Sequence, residues 1–297
     1  MLLACRLQGE GAPQSVAEFE RAVLASPNSS YTWIRQAQGC SRQMAGYMAW
    51  QLGLGDADKA RAIAQRALDT INYREEGEKF NIWVAWLNLE ANAGQPTPAE
   101  AVMARFNKAL PYCDAKKLYM TLLGILAKNG WTELLASTLK VMCKKFNGSA
   151  KVWTRAIEDA LTHSGATGGE AARQMLERAL KALPRRKHVK VIVAAALLEF
   201  RLGSPERGRS IMEGVLRNYP KRLDLWSVYL DQEVKLGDAE RTRAVFERAT
   251  SMTVPARKMK FLFKRWLDWE KSSGAGSAAV EHVKQKAMEF VERSAKA

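Results

Sequence analysis

The chain has 297 residues, with 46 Lys plus Arg against 31 Asp plus Glu, a formal charge of +15. A hydrophobic content of 47% with 8% aromatics excludes a wholly disordered chain, and 9 Pro with 20 Gly exclude collagen-like or Pro-rich low complexity. The length supplies one large domain or two small ones, and the charge favours a polyanionic neighbour: nucleic acid ahead of acidic protein or membrane surface.

Residues 1–14 are expected to be disordered. The apolar start, Met1 to Cys5, lacks a basic flank and stops at Arg6, so no signal peptide is expected. No later stretch reaches the roughly 18 apolar residues of a membrane helix. A helical domain is expected over 15–293, followed by a tail at 294–297. Trp33-Ile34-Arg35 should run directly into Tyr47-Met48-Ala49-Trp50, but 36–46 intervenes with Gly39 and Gly46. That segment reads as an inserted loop, or equally as an unspliced piece of the gene. Ala60-Arg61 through Arg66-Ala67-Leu68 then opens one recurring pattern, which returns as a shortened copy at Ala104-Arg105 to Leu110, as Ala172-Arg173 to Leu180, and as Thr242-Arg243 to Ala249. A second pattern has an aromatic, another three residues later, and Glu at +7. It stands at Trp83, Trp86 and Glu90, at Trp226, Tyr229 and Glu233, and at Phe263, Trp266 and Glu270. Weaker copies start at Tyr119, Trp153 and Ile192, so successive anchors lie 36, 34, 39, 34 and 37 residues apart. Turn signals separate the halves, as in Leu236-Gly237-Asp238 and Leu202-Gly203-Ser204-Pro205, and Pro111, Pro184 and Pro220 close the units.

This is a helix-turn-helix of about 34 residues repeated seven times, giving an all-α solenoid. Positions i, i+3 and i+7 share a helix face, so the aromatics form a core stripe that one hairpin cannot bury alone. Trp83, Trp86, Trp153, Trp226, Tyr229 and Trp266 are its anchors. Glu90, Glu233 and Glu270 are expected to pair with a nearby Arg of the same unit.

Together the two motifs resemble the HAT (half-a-TPR) repeat, whose proteins act in splicing, mRNA 3′-end formation and ribosome assembly. Segments outside the motifs sharpen the likeness: Ser15 to Arg21, Ser26 to Ser30, Ala67 to Glu76, Tyr219 to Tyr229, and Arg257 to Arg265. They resemble the C-terminal HAT-repeat domain of the rRNA biogenesis protein RRP-five family (programmed cell death protein eleven in animals). The resemblance covers roughly 15–293. It implies a non-catalytic scaffold in the nucleolus that supports pre-rRNA processing toward small-subunit rRNA. Its implied partners are pre-rRNA and the small-subunit processome with its snoRNP proteins. That family carries an N-terminal OB-fold array that is not visible here. A separately encoded domain, a fragment or a truncated gene model is expected, and the array's RNA binding is not carried over. The alternatives are a HAT scaffold in splicing or mRNA 3′-end processing, and a TPR-like peptide adaptor.

The charge is uneven. From Lys181 to Arg222 there are eleven basic residues against Glu199, Glu206 and Glu213. Arg185, Arg186, Lys187 and Lys190 lie at one inter-repeat turn, and Lys221 and Arg222 at another. Arg257, Lys258, Lys260, Lys264 and Arg265 form a second cluster. In a solenoid such turns fall along one edge, where Arg and Lys would track a phosphate backbone. No aromatic is interleaved on an exposed face, so base readout is not expected. His163, His188 and His282 are isolated, with His188 read as a surface residue. Gly165 to Gly169 is a loop that lacks the Lys-Ser/Thr of a phosphate-binding motif. Cys113 and Cys143 read as inert core thiols on helices; with Cys5 and Cys40 they form no CxxC pair, which fits a reducing compartment. No catalytic residue, metal, cofactor or small-molecule substrate is expected.

Overall fold

The computed structural model describes residues 13, 15–34, 46–94, 96–163, 165–252, 254, 256–273 and 276–295. Apart from Pro13, the segment 1–14 lies outside them, as do 36–45 of the expected insertion and the last two residues of the tail. Every regular element among the described residues is helical. The chain divides into two compact units, 1–146 and 147–297. The first holds α1 (Val16–Ala25), α2 (Ser30–Ile34), α3 (Tyr47–Gly53), α4 (Ala57–Thr70), α5 (Glu76–Asn92), α6 (Pro98–Ala109), α7 (Ala115–Lys128) and α8 (Thr132–Lys145). The second holds α9 (Ala150–His163), α10 (Gly168–Ala182), α11 (His188–Leu202), α12 (Pro205–Asn218), α13 (Leu223–Leu236), α14 (Ala239–Thr250), α15 (Ala256–Ser272) and α16 (Ser277–Ala295).

Local chemistry sets the helix ends. Asp56, Asp114 and Asp238 each accept a hydrogen bond from the backbone N–H three residues on, satisfying a donor that the first turn leaves orphaned. Gly237 closes α13 at φ 79°, a left-handed conformation suited to glycine, and Asp238 opens α14 directly after it. Gly203 leaves room for the Glu199 carboxylate, which a Cβ there would overlap and which folds back over the turn to accept from the Ser204 N–H at 3.2 Å.

In each unit consecutive helices pack as hairpins: α5 on α6 and α7 on α8 in the first, α9 on α10, α11 on α12, α13 on α14 and α15 on α16 in the second. The expected stripe is the core: Trp83, Trp86, Trp153, Trp226, Tyr229 and Trp266 are all buried. Each such burial stabilises by several kcal/mol at about 25 cal/mol per Å². Two polar details recur. The indole N–H of Trp33, Trp153 and Trp226 donates to the carbonyl six residues upstream, at Pro27, Asn147 and Pro220, and so fixes the helix to the turn before it. At the second aromatic position, Trp86 and Trp266 donate instead to the glutamate four residues on, Glu90 at 3.0 Å and Glu270 at 3.1 Å.

The interrupted first repeat keeps its face. Tyr47 of α3 stacks on Phe19 at 5.1 Å, and the Arg66 guanidinium lies over both Trp33 of α2 and Tyr47. With 36–46 set aside, Gln51 occupies the place of the repeated glutamate, and it is buried.

The glutamates join neighbours in a manner the sequence did not predict. Arg61 of α4 holds Glu90 of α5, Arg209 of α12 holds Glu233 of α13, and Arg243 of α14 holds Glu270 of α15. In all three the arginine belongs to the preceding unit, so the bridge fastens one hairpin to the next. The same-unit pairing holds for Glu199 with Arg207 and for the second contact on Glu90, from Arg105. Arg173, which shares the motif position, instead meets Glu170 and Glu177 on its own helix. The second arginine of the motif acts laterally: Arg248 holds Glu213 of α12 through two hydrogen bonds, 2.8 and 2.7 Å, and lies over Trp226.

Candidate nucleic-acid interface

The basic residues fall into two groups, those bonded to acceptors of the protein and those with no ion-pair partner among the described residues. Lys187 donates to the Gly148 carbonyl. Arg222 forks onto Asp224, and Arg265 onto the Ser227 carbonyl and Asp231. Arg185, Arg186, Lys190, Lys221, Arg257, Lys258, Lys260 and Lys264 are exposed, and no carboxylate among the described residues comes within ion-pair distance of them.

Their spacing is regular. Arg185 and Arg186, Lys221 and Arg222, and Arg257 and Lys258 follow one another at steps of 36 residues. Each pair sits at or beside the turn that leads from the second helix of one hairpin into the first helix of the next: α10 to α11, α12 to α13, α14 to α15. Within the second unit, successive pairs are therefore one hairpin apart.

Stability does not explain that placement. The partial positive charge of a helix N-terminus disfavours cations there, by about 0.3–1 kcal/mol for an exposed charge. Yet α11 and α13 have Lys187 and Arg222 as N-cap residues, neither of which makes a side-chain capping bond. Asp56, Asp114 and Asp238 show how this same chain caps helices elsewhere. Outward cations at such turns are ordinary components of a phosphate-binding surface.

Several single-residue expectations change. Tyr219, beside Pro220-Lys221-Arg222, is 45% exposed, and Phe261, within the second cluster, is 55% exposed, so aromatic faces do stand among the cations. Their positions outside the Trp226 and Phe263 stripe were the available signal. His188 is half-buried, its Nε2 2.8 Å from the Leu183 carbonyl, because the short turn folds the ring back onto the preceding helix end. His163 pairs with Asp159 at 2.9 Å and His282 with Glu247 at 3.3 Å. Gly165–Thr167 form a 3₁₀ turn, and Gly168 and Gly169 already belong to α10. Cys143 is a buried thiol of α8. Cys113, however, lies in extended backbone after a 3₁₀ turn, not on a helix, and burial pushes its thiol up to about 11. No group of three or more His, Cys, Asp or Glu among the described residues is arranged to hold a metal ion, and no described helix is long and apolar enough to cross a membrane.

Known proteins share this array. The family model of the suppressor of forked protein (Suf) matches residues 162–297. The rRNA biogenesis protein RRP5 of Arabidopsis thaliana is 50% identical over 285 residues, 96% of this chain and 14% of its own length. The helical array belongs to the RRP5 family. The rRNA biogenesis protein rrp5 of Schizosaccharomyces pombe is 43% identical over 95% of this chain and 16% of its own length. The chain thus spans about one-seventh of the length of the RRP5 relatives it matches. A pre-mRNA-splicing factor, clf-1 of Neurospora crassa, is more distant than either RRP5, 24% identical over 77% of this chain and 34% of its own length.

Proposed function

We propose that this array is a non-catalytic scaffold of ribosome biogenesis, acting in the nucleolus to support pre-rRNA processing toward small-subunit rRNA. It would contact pre-rRNA and proteins of the small-subunit processome or its snoRNP. The RRP5 relationship supports the process. The observation that carries the RNA contact is the 36-residue recurrence of basic pairs, in which Arg185, Arg186, Lys221, Arg257 and Lys258 are exposed with no ion-pair partner among the described residues. Each pair would hold phosphates of a strand laid along that edge, while the hairpins behind it stay rigid. Tyr219 is placed to stack a base without sequence preference, so binding would be governed by charge.

The test is a salt titration of binding to pre-rRNA fragments, together with sequencing of RNA cross-linked to the protein in cells. Replacing Arg185, Arg186 and Lys221 together by Gln removes three phosphate contacts. The slope of log affinity against log salt should fall by about 2, from roughly 0.7 per contact on single strands. Thermal stability should not fall, because the cations oppose the helix dipoles. An unchanged slope would remove the edge. Cross-linked pre-rRNA and snoRNA would support the ribosomal reading; spliceosomal RNA in their place would favour the splicing alternative, which the likeness to clf-1 keeps in view.

A further inference from the structure

The last hairpin of the second unit carries an apolar groove beside the cations Arg257, Lys260 and Lys264. Between α15 and α16 lies a groove of about 580 Å³ whose lining includes the apolar Phe263, Leu267 and Val291 and the basic Arg257, Lys260, Lys264 and Lys284. Register with an earlier hairpin tells what such a groove holds. Aligning the anchors Ile192 and Phe263 places Lys260 and Lys264 where α11 has Val189 and Val193. In that hairpin, Val189, Ile192 and Val193 pack against the core cluster containing Trp226 and Tyr229 of α13. The corresponding surface of α11 and α12 is thus covered by a helix with an aromatic stripe, whose Glu233 is received by Arg209 of α12.

Lys284 stands where that arginine would be. Arg209 and Arg243 each have buried or half-buried residues at −1, +3 and +6 and an acid at −3, and so does Lys284, with Val283, Ala287, Phe290 and Glu281. The groove therefore keeps the apolar lining and the glutamate receptor of the inter-hairpin joint, but two of its apolar positions have become lysine. A surface serving only to terminate the stack would lose the apolar lining as well. Here Phe263 and Leu267 remain, and Val291 is 60% exposed.

We propose that this groove docks an acidic amphipathic helix of a partner protein. That helix would present aromatics at i and i+3 to the apolar lining, Glu at i+7 to Lys284, and flanking carboxylates to Lys260 and Lys264. Apolar anchors supply the affinity and the charge pattern selects the partner. RNA is the competing occupant, and the test separates the two.

The probe is a fluorescently labelled synthetic peptide with the sequence of residues 223–236, the helix held by the equivalent surface of α11 and α12. It carries Asp224, Asp231 and Glu233 against Lys235. Titrated with the full chain, it should bind saturably. The variants Lys260→Glu/Lys264→Glu and Val291→Asp should each weaken it at least tenfold, and a peptide with Asp224 and Asp231 replaced by Lys should recover affinity for the Lys260→Glu/Lys264→Glu protein. These positions are exposed, so circular dichroism melts should match the parent. No saturable binding to the parent chain, or equal binding to all three proteins, would overturn the proposal. So would a Lys260→Glu/Lys264→Glu protein that loses RNA affinity while binding the peptide unchanged. Because Arg185, Arg186 and Lys221 are untouched, failure here leaves the RNA edge standing.

Discussion

Removing Glu233 tests how the hairpins of the second unit are joined. Its carboxylate is fully buried, and the Arg209 side chain facing it is 15% exposed. Two hydrogen bonds link them, Nε to Oε1 at 2.8 Å and Nη2 to Oε2 at 2.9 Å, and this bond to Glu233 raises the arginine above its ordinary range although burial pushes the other way. Breaking a buried pair by deleting one partner costs about 3–5 kcal/mol, because the remaining charge is left in a poorly solvated site. Arg209 retains Glu206 at 2.7 Å, on an exposed side chain, which places Glu233→Ala near the lower end, about 3 kcal/mol. Urea unfolding gives the total, and amide hydrogen exchange gives the location. In a repeat array coupling is between nearest neighbours, so lost protection should concentrate in α12 to α14. A well-packed Arg209→Met/Glu233→Met double variant should recover most of the loss, since an apolar pair of similar volume carries no desolvation cost. A Glu233→Ala protein within about 0.5 kcal/mol of the parent, or a double variant equal to the sum of its singles, would refute the joint.

Two further outcomes follow from the same geometry. Trp226→Ala should destabilise the second unit by about 3–5 kcal/mol through the cavity it opens, whereas Trp226→Phe, which keeps most of the packing but loses the indole bond to the Pro220 carbonyl, should cost about 1 kcal/mol; calorimetry or urea midpoints that do not separate the two would contradict the assignment. Acid should loosen the joints: burial pushes Glu270 up, but hydrogen bonds from Arg243 and Trp266 outweigh it, and the Arg248 hydrogen bond holds Glu213 down despite its burial, so both titrate below the ordinary glutamate range when folded. Their stabilisation is fully present above the unfolded value of about 4.3 and is lost as pH falls through the folded values, because the unfolded chain takes up protons first. Urea midpoints should therefore be insensitive to these two groups at neutral pH and decline below about pH 4.5. Glu270→Gln should flatten part of that decline, and an identical acid limb in parent and variant would refute the assignment.

The sequence by itself determined the repeat, its period and its buried face. Those features depend on residues three, four and seven apart and on turn chemistry, such as Gly237 at positive φ followed by Asp238, and local spacing encodes both. It also located the turns that carry Arg185, Arg186 and Lys221. Only the tertiary structure decided the pairing. Glu233 and Arg209 are 24 residues apart and Glu270 and Arg243 are 27, with each arginine reaching forward from the preceding hairpin. No helical periodicity distinguishes that choice from a partner within the same unit. The same limit applies to the cations. Lys187, Arg222 and Arg265 read like their neighbours in sequence, and a carbonyl at Gly148 and carboxylates at Asp224 and Asp231 engage them. Charge is a property of the residue, but its availability to a ligand depends on which acceptors packing brings within reach.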